Sequence, residues 1–215
     1  MSLQAVFAEI HPDWYGQADG DGPESASPSP ELLQRARDSA LGRRILARWL
    51  MRDVGIGGAL LAPRPDGALA AAVVRWPRAR LATLLRDVGA LAYAPVIRAE
   101  VRREPVRLLR RALGNSYLLA LDKQVWDGQV PPPVATRLRA ALATTLAGTP
   151  DAAALHALLD HQGRCELHAW AAQADPALAE WVLLQSPREA PVAAHLPGQQ
   201  VQFLHDHHLA RARAG

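Results

Sequence analysis

The chain has 215 residues, 49% of them hydrophobic and 21% charged, with a formal net charge of +3. That length can bury a real core, the balance is that of a soluble globular protein, and the near-neutral charge argues against a protein built chiefly to coat nucleic acid. The one cysteine, Cys165, excludes an intrachain disulfide, and the longest apolar run, Gly67 to Val74, falls far short of the ~18 residues a membrane span requires.

Alanine and leucine dominate and β-branched residues are sparse, so helix is favoured throughout. Nearly every cation is arginine; Lys123 is the only lysine. Residues 1–10 hold Glu9 and no Lys or Arg, which is not the pattern of a secretory leader, and the simplest location is the cytosol.

In chain order, Val6, Phe7 and Ile10 precede His11-Pro12-Asp13-Trp14-Tyr15, an aromatic cluster that predicts packing against the body. Residues 16–30 are rich in Gly, Pro and Ser and read as a flexible loop or linker. Ser29, Pro30 and Glu31 supply a cap, a first-turn proline and a dipole-matching acid, opening a helix expected from Pro30 to Val54 and stopped by Gly55, Gly57 and Gly58. Ala59 to Trp76 reads as loop with at most a minor strand, because alanine is a poor strand former around the turn signal Pro63–Gly67.

The stretch Pro77 to Trp126 is the most informative. Leu81, Leu84, Leu85, Val88, Leu91 and Ala92 recur at helical spacing until Pro95. A turn containing Arg98, Glu100, Arg102 and Arg103 follows. Pro105 opens a second run, Val106, Leu108, Leu109, Ala112 and Leu113, with Arg107, Arg110 and Arg111 outward, and Tyr117 to Val125 forms a third. After Pro131–Pro133, Val134, Leu138, Leu142 and Leu146 step at i+4. Thr149-Pro150-Asp151 and Asp175-Pro176 start two further helices, the first of which Gly163 is expected to kink. From Pro187 to the end, prolines and a polar tail predict irregular structure.

Three clusters bear on chemistry. His161, Cys165 and His168 lie within about 60° on a helical wheel, and thiolate with imidazole suits zinc. A fourth ligand is missing, however, and the simpler reading is a set of residues flanking an apolar face. His205, His207 and His208 read as a solvated end. Arg98, Arg102, Arg103, Arg107, Arg110 and Arg111 form a basic edge: a solvated face, or a contact surface for an acidic protein partner, or a phosphate-binding patch that lacks interleaved aromatics for base stacking. No nucleophile elbow, phosphate loop or His-Glu-x-x-His motif occurs.

These segments, in this order, resemble the K component (SctK) of the type III secretion sorting platform. The resemblance is carried by Phe7 with Ile10-His11-Pro12 and Trp14-Tyr15; by Arg37-Asp38-Ser39-Ala40; by Leu84-Leu85, Val88 to Leu91, Val96-Ile97-Arg98, Leu108 to Leu113 and Tyr117 to Gln124; and by Gly163 to Pro187 with Trp170 and Trp181. The loop at Gly16–Pro30 and the His-rich end depart from it. The resemblance implies a non-enzymatic adaptor with no cofactor or metal, at the cytoplasmic base of the inner-membrane apparatus. It would join the cytosolic domain of the ring protein (the D component) to the Q-component pods.

The expectation is therefore one mainly α, irregular multi-helix domain over 1–215 with room for lobes, and a monomer in isolation for want of sustained heptads. Two other readings stay open: an arginine-rich helical regulator that binds nucleic acid, and a metal-dependent enzyme using His161, Cys165 and His168.

Overall fold

The computed structural model describes residues 3–15, 29–52, 54–61, 71–147 and 151–214. The segment read as a flexible loop lies almost wholly outside these residues, as does the turn expected at Pro63–Gly67. The helices are α1 (Leu3–Glu9), α2 (Pro30–Asp38), α3 (Ala40–Arg52), α4 (Ala71–Arg75), α5 (Arg78–Ala92), α6 (Ala94–Ala99), α7 (Arg103–Leu113), α8 (Asn115–Leu121), α9 (Pro132–Ala147), α10 (Ala152–Ala174), α11 (Pro176–Leu184) and α12 (Gly198–Ala214), with a 3-10 turn at Pro12–Tyr15. Helix accounts for 75% of the described residues, and no strand occurs among them. The chain divides into two compact units, both discontinuous in sequence: Met1–Arg78 with Ala171–Ala190, and Ala79–Trp170 with Pro191–Gly215.

In the first unit, the helix expected from Pro30 to Val54 is two helices. Ser29 caps α2 by accepting a hydrogen bond from the Leu32 N–H at 3.2 Å, with Pro30 in the first turn. Ser39 then leaves the helix in an extended conformation, and its hydroxyl accepts from the Gly42 N–H at 2.9 Å, starting α3. A short polar side chain has outcompeted the helix backbone. The Arg43 guanidinium donates to the Arg37 and Asp38 carbonyls, closing the end of α2. Beyond α3, Gly55 takes φ 70° and the Ile56 N–H reaches back to the Leu50 carbonyl at 3.0 Å, the left-handed stop that its glycine predicts.

Helix α11 organises this unit. Asp175 caps it through the Leu178 N–H at 3.1 Å. Its Trp181 is fully buried and donates from the indole to the Trp76 carbonyl at 2.8 Å. Glu180 accepts from the Ala59 and Leu60 N–H groups at 2.9 and 2.7 Å, fixing the turn after α3. The Trp14 indole donates to the Leu183 and Ser186 carbonyls at 3.0 and 2.8 Å, and Val6, Phe7, Ile10, Trp14 and Tyr15 are buried, so the N-terminal aromatic cluster packs as its composition predicts. Residues 71–75, read from sequence as loop or minor strand, are α4, whose run continues as the Trp76 N–H donates to the Ala72 carbonyl at 2.9 Å.

The second unit centres on α5 and α10. Leu81, Leu84, Val88 and Leu91 of α5 and Leu155, Leu159 and Leu167 of α10 are essentially inaccessible to solvent. Gly163 does not interrupt α10, whose helical assignment is continuous over Ala152–Ala174. The glycine instead permits contact: a Cβ there would lie 1.9 Å from the Leu85 carbonyl oxygen, and a Cβ on Gly89 would lie 2.0 Å from that of Leu159. Segment 94–99, expected as a turn, is α6: Pro95 sits in its first turn, where the missing N–H costs nothing, and the Val96 and Ile97 N–H groups bond the Tyr93 carbonyl. Gly114, at φ 52°, separates α7 from α8.

The C-terminal segment corrects the sequence reading most clearly. Residues 187–197 are non-helical, but Gly198–Ala214 is α12 rather than an irregular tail. Val201, Leu204 and His208 follow i, i+3, i+7 and are 1%, 3% and 7% exposed, so the segment has a buried helical face that its polar composition conceals.

Candidate partner-binding face

The six candidate arginines separate into three groups. On α7, Arg103, Arg107, Arg110 and Arg111 share an arc of about 100° on the wheel and are all exposed. The opposite face buries Leu108, Leu109 and Leu113. Arg110 and Arg111 stand in the last turn, where cations complement the helix dipole. Arg107 pairs with Glu104 at 3.1 Å, both well exposed, a contact worth roughly 0–1 kcal/mol. Arg103, Arg110 and Arg111 have no carboxylate partner among the described residues.

Arg102 lies just outside this helix and binds Glu100 at 2.6 Å. That hydrogen bond is the largest cause holding the Glu100 carboxyl at about 2, well under the usual carboxylate range, and it pushes Arg102 up in turn. Arg98 is turned towards the backbone that follows it rather than standing with the α7 arginines. Its guanidinium donates to four carbonyls: Ala120 at 2.8 Å, Asp122 at 3.1 Å, Trp126 at 2.7 Å and Asp127 at 2.8 Å. It ties the end of α8 to the following loop, and burial lowers its pKa against the opposing pull of Asp122 and Asp127.

Beside the arginine row, a notch of about 250 Å³ opens between α7 and the end of α9, lined by Glu104, Pro105, Arg107, Leu108, Arg111 and Leu146. Sequence reasoning placed Leu146 on the same i+4 ladder as Leu138 and Leu142. Those two are buried at 0% and 2%, whereas Leu146 is only half-buried in the last turn of its helix. The ladder running to the helix end was the available signal. Val101, two residues before α7, is 87% exposed.

Of the remaining candidates, Cys165 and His208 are buried, His161, His168 and His205 are half-buried, and His207 is exposed. Cys165 is buried, and its sulfur accepts from the Val192 N–H at 3.4 Å. Burial lowers the pKa of His168. No group of three or more His, Cys, Asp or Glu side chains with metal-binding geometry occurs among the described residues. His205 packs at a tilt against Trp170 with ring centroids 4.9 Å apart and contacts Asp206 at 2.9 Å, and His208 is buried.

Two polar clusters escaped the sequence reading. Asp87 of α5 takes the Ser116 hydroxyl on one oxygen and His208 Nε2, at 2.8 Å, on the other. The residue types match a nucleophilic triad but the order does not. A triad needs the imidazole between hydroxyl and carboxylate to carry the proton, and here the carboxylate stands in the middle. The cluster is a strut joining α5, α8 and α12.

The second cluster surrounds Glu166, whose side chain is 1% exposed. It accepts from the His195 and Leu196 N–H groups, both at 2.9 Å, and from the Gln162 amide at 2.7 Å. His195 Nδ1 lies 2.9 Å from the carboxylate, within ion-pairing range but without hydrogen-bond alignment, while Nε2 donates to the Ala92 carbonyl at 3.1 Å. Arg137 donates to Gln162 and to the Ala193 carbonyl. Together these bonds strap residues 193–196 onto α10.

No helix of the described residues is long and apolar enough to cross a membrane. No protein-family model matches this sequence, no characterised protein matches it, and no solved structure matches its fold.

Proposed function

We propose that this chain is a non-enzymatic adaptor whose product is binding, of the kind its sequence resembles: a sorting-platform K component linking the cytosolic domain of the D component to the Q component in the cytoplasm. The observation that carries the reading is the arginine face of α7. Four exposed arginines stand there against one exposed glutamate, an excess of three positive charges on eleven residues. Meanwhile the clusters with chemically capable residue types, Asp87–Ser116–His208 and Glu166–His195, are occupied in holding helices and a strap together. A surface of fixed cations beside exposed apolar groups suits recognition of an acidic protein surface.

The test is co-purification of the full chain with the Q component and with the D cytosolic domain from the same source. Capture of one of them by the wild-type chain, lost on combined Arg107→Glu and Arg110→Glu, is the expected result. Failure of the wild-type chain to capture either would overturn the adaptor assignment. Capture that survives the reversal would keep the assignment and move the contact off α7.

A further inference from the structure

The notch between α7 and the end of α9 has a composition that the arginine row alone does not explain. Pro105, Leu108 and Leu146 give its lining an apolar part, and Arg107 and Arg111, one turn apart, give it a charged part. About 250 Å³ is room for a single aliphatic or aromatic side chain. A nucleic-acid backbone carries phosphate but nothing to fill an apolar lining of this size. A solvated face needs no such lining.

We infer that this notch is a socket for an acidic segment of a protein partner, which seats one apolar anchor residue on Pro105, Leu108 and Leu146 and sets flanking carboxylates on Arg107 and Arg111. The inference deepens the adaptor reading and rests on it. Glu104 already shows how a carboxylate is taken: it lies against Arg107 at 3.1 Å, 75% exposed and held by that one weak contact, so an incoming carboxylate displaces it at little cost. Arg111 has no such internal carboxylate among the described residues and presents its full hydrogen-bonding fork, which suits bidentate capture of a carboxylate. Arg103 and Arg110, flanking these two on the same arc, extend the positive field and speed encounter with an acidic chain. An apolar anchor in a desolvated pocket with charges at the rim is the usual arrangement of a binding hot spot.

The experiment uses the full chain and three labelled probes: a short glutamate-rich peptide with one central leucine, the same peptide with serine in place of leucine, and single-stranded DNA of comparable charge. The socket predicts that the leucine peptide binds about tenfold more tightly than the serine peptide. Arg107→Glu with Arg111→Glu should abolish binding of both peptides. Leu146→Ser should remove the leucine preference while leaving the serine peptide's affinity within about twofold. Urea unfolding of each variant accompanies these measurements. Because the two peptides are compared on the wild-type chain, an unstable variant leaves the test intact. Equal affinity for the two peptides overturns the socket even if the chain still captures its Q or D partner. Tighter binding of DNA than of either peptide, falling steeply with salt, overturns it in favour of nucleic acid. Failure to capture Q or D together with a clear leucine preference would sink the assignment to that assembly and keep the socket.

Discussion

Gly163 and Gly89 lie face to face where α10 meets α5: a Cβ on Gly163 would stand 2.9 Å from the Gly89 nitrogen as well as 1.9 Å from the Leu85 oxygen. Neither obstacle is a flexible side chain, so relief requires the helices to separate. In an exposed helix, Gly→Ala stabilises by up to about 1 kcal/mol. Here the sign reverses, because overpacking costs typically 1–3 kcal/mol and the contacts are backbone. Gly163→Ala is expected to lower stability by about 2 kcal/mol or more, read from the urea midpoint. A midpoint at or above that of the wild type would refute the close approach.

The arginines should divide the same way under mutation. Arg98→Ala leaves four carbonyls without their donor and is expected to cost about 2 kcal/mol, in the range for hydrogen bonds to a charged group when water can partly replace it. Arg111→Ala removes no internal bond and should change stability by less than about 0.5 kcal/mol. Thermal unfolding of the two variants side by side checks the contrast, and equal effects would contradict the division of the basic cluster into strut and surface.

Glu166→Ala strips the acceptor from the His195 and Leu196 amides and leaves His195 Nδ1 facing a void. Leaving buried donors without their acceptor costs roughly 1–3 kcal/mol each. The expected signature is local as well as global: the amides of residues 192–196 should exchange with deuterium far faster than in the wild-type chain. Unchanged exchange there would show that the strap is held by something other than this carboxylate.

Tyr15 supplies a pH dependence. Burial raises its phenol from 10.0 to about 12, against the lowering influence of Arg37, whose guanidinium lies 5.0 Å from the ring centre. The folded pKa exceeds the unfolded one, so the stabilisation is complete below pH ~10 and is lost as pH climbs through about 12. Two units correspond to roughly 2–3 kcal/mol. The difference in phenolate absorbance between wild type and Tyr15→Phe should titrate near 12. Ionisation near 10 in the folded chain would contradict the burial.

Much of the fold was legible because it is written locally. Ser29 and Asp175 announce their helices by side-chain caps one residue ahead of a proline, and the apolar spacing of 81–92 and 138–142 names the buried faces. What was not legible depends on neighbours far away in sequence. Gly163 reads as a helix weakness until Leu85 is placed opposite it. Residues 198–214 look like a polar tail because the helix buries a histidine, His208, where a leucine would have signalled a core, and Asp87 supplies the partner that makes this tolerable. In the candidate site, the outward arginines of α7 follow from its periodicity. Nothing local distinguishes Arg98, which turns inward, from Arg102, which does not.

The interrupted layout of the first unit fixes an order of events during synthesis. Trp14, Trp76 and the turn at Ala59 and Leu60 all bond to residues of α11, which leave the ribosome only after the whole continuous stretch Ala79–Trp170. At ordinary elongation rates that delay is roughly 5–20 s. Throughout it, the aromatic side chains of the N-terminal segment have been made and their covering helix has not, and the second unit waits longer still, because its closing segment Pro191–Gly215 follows α11.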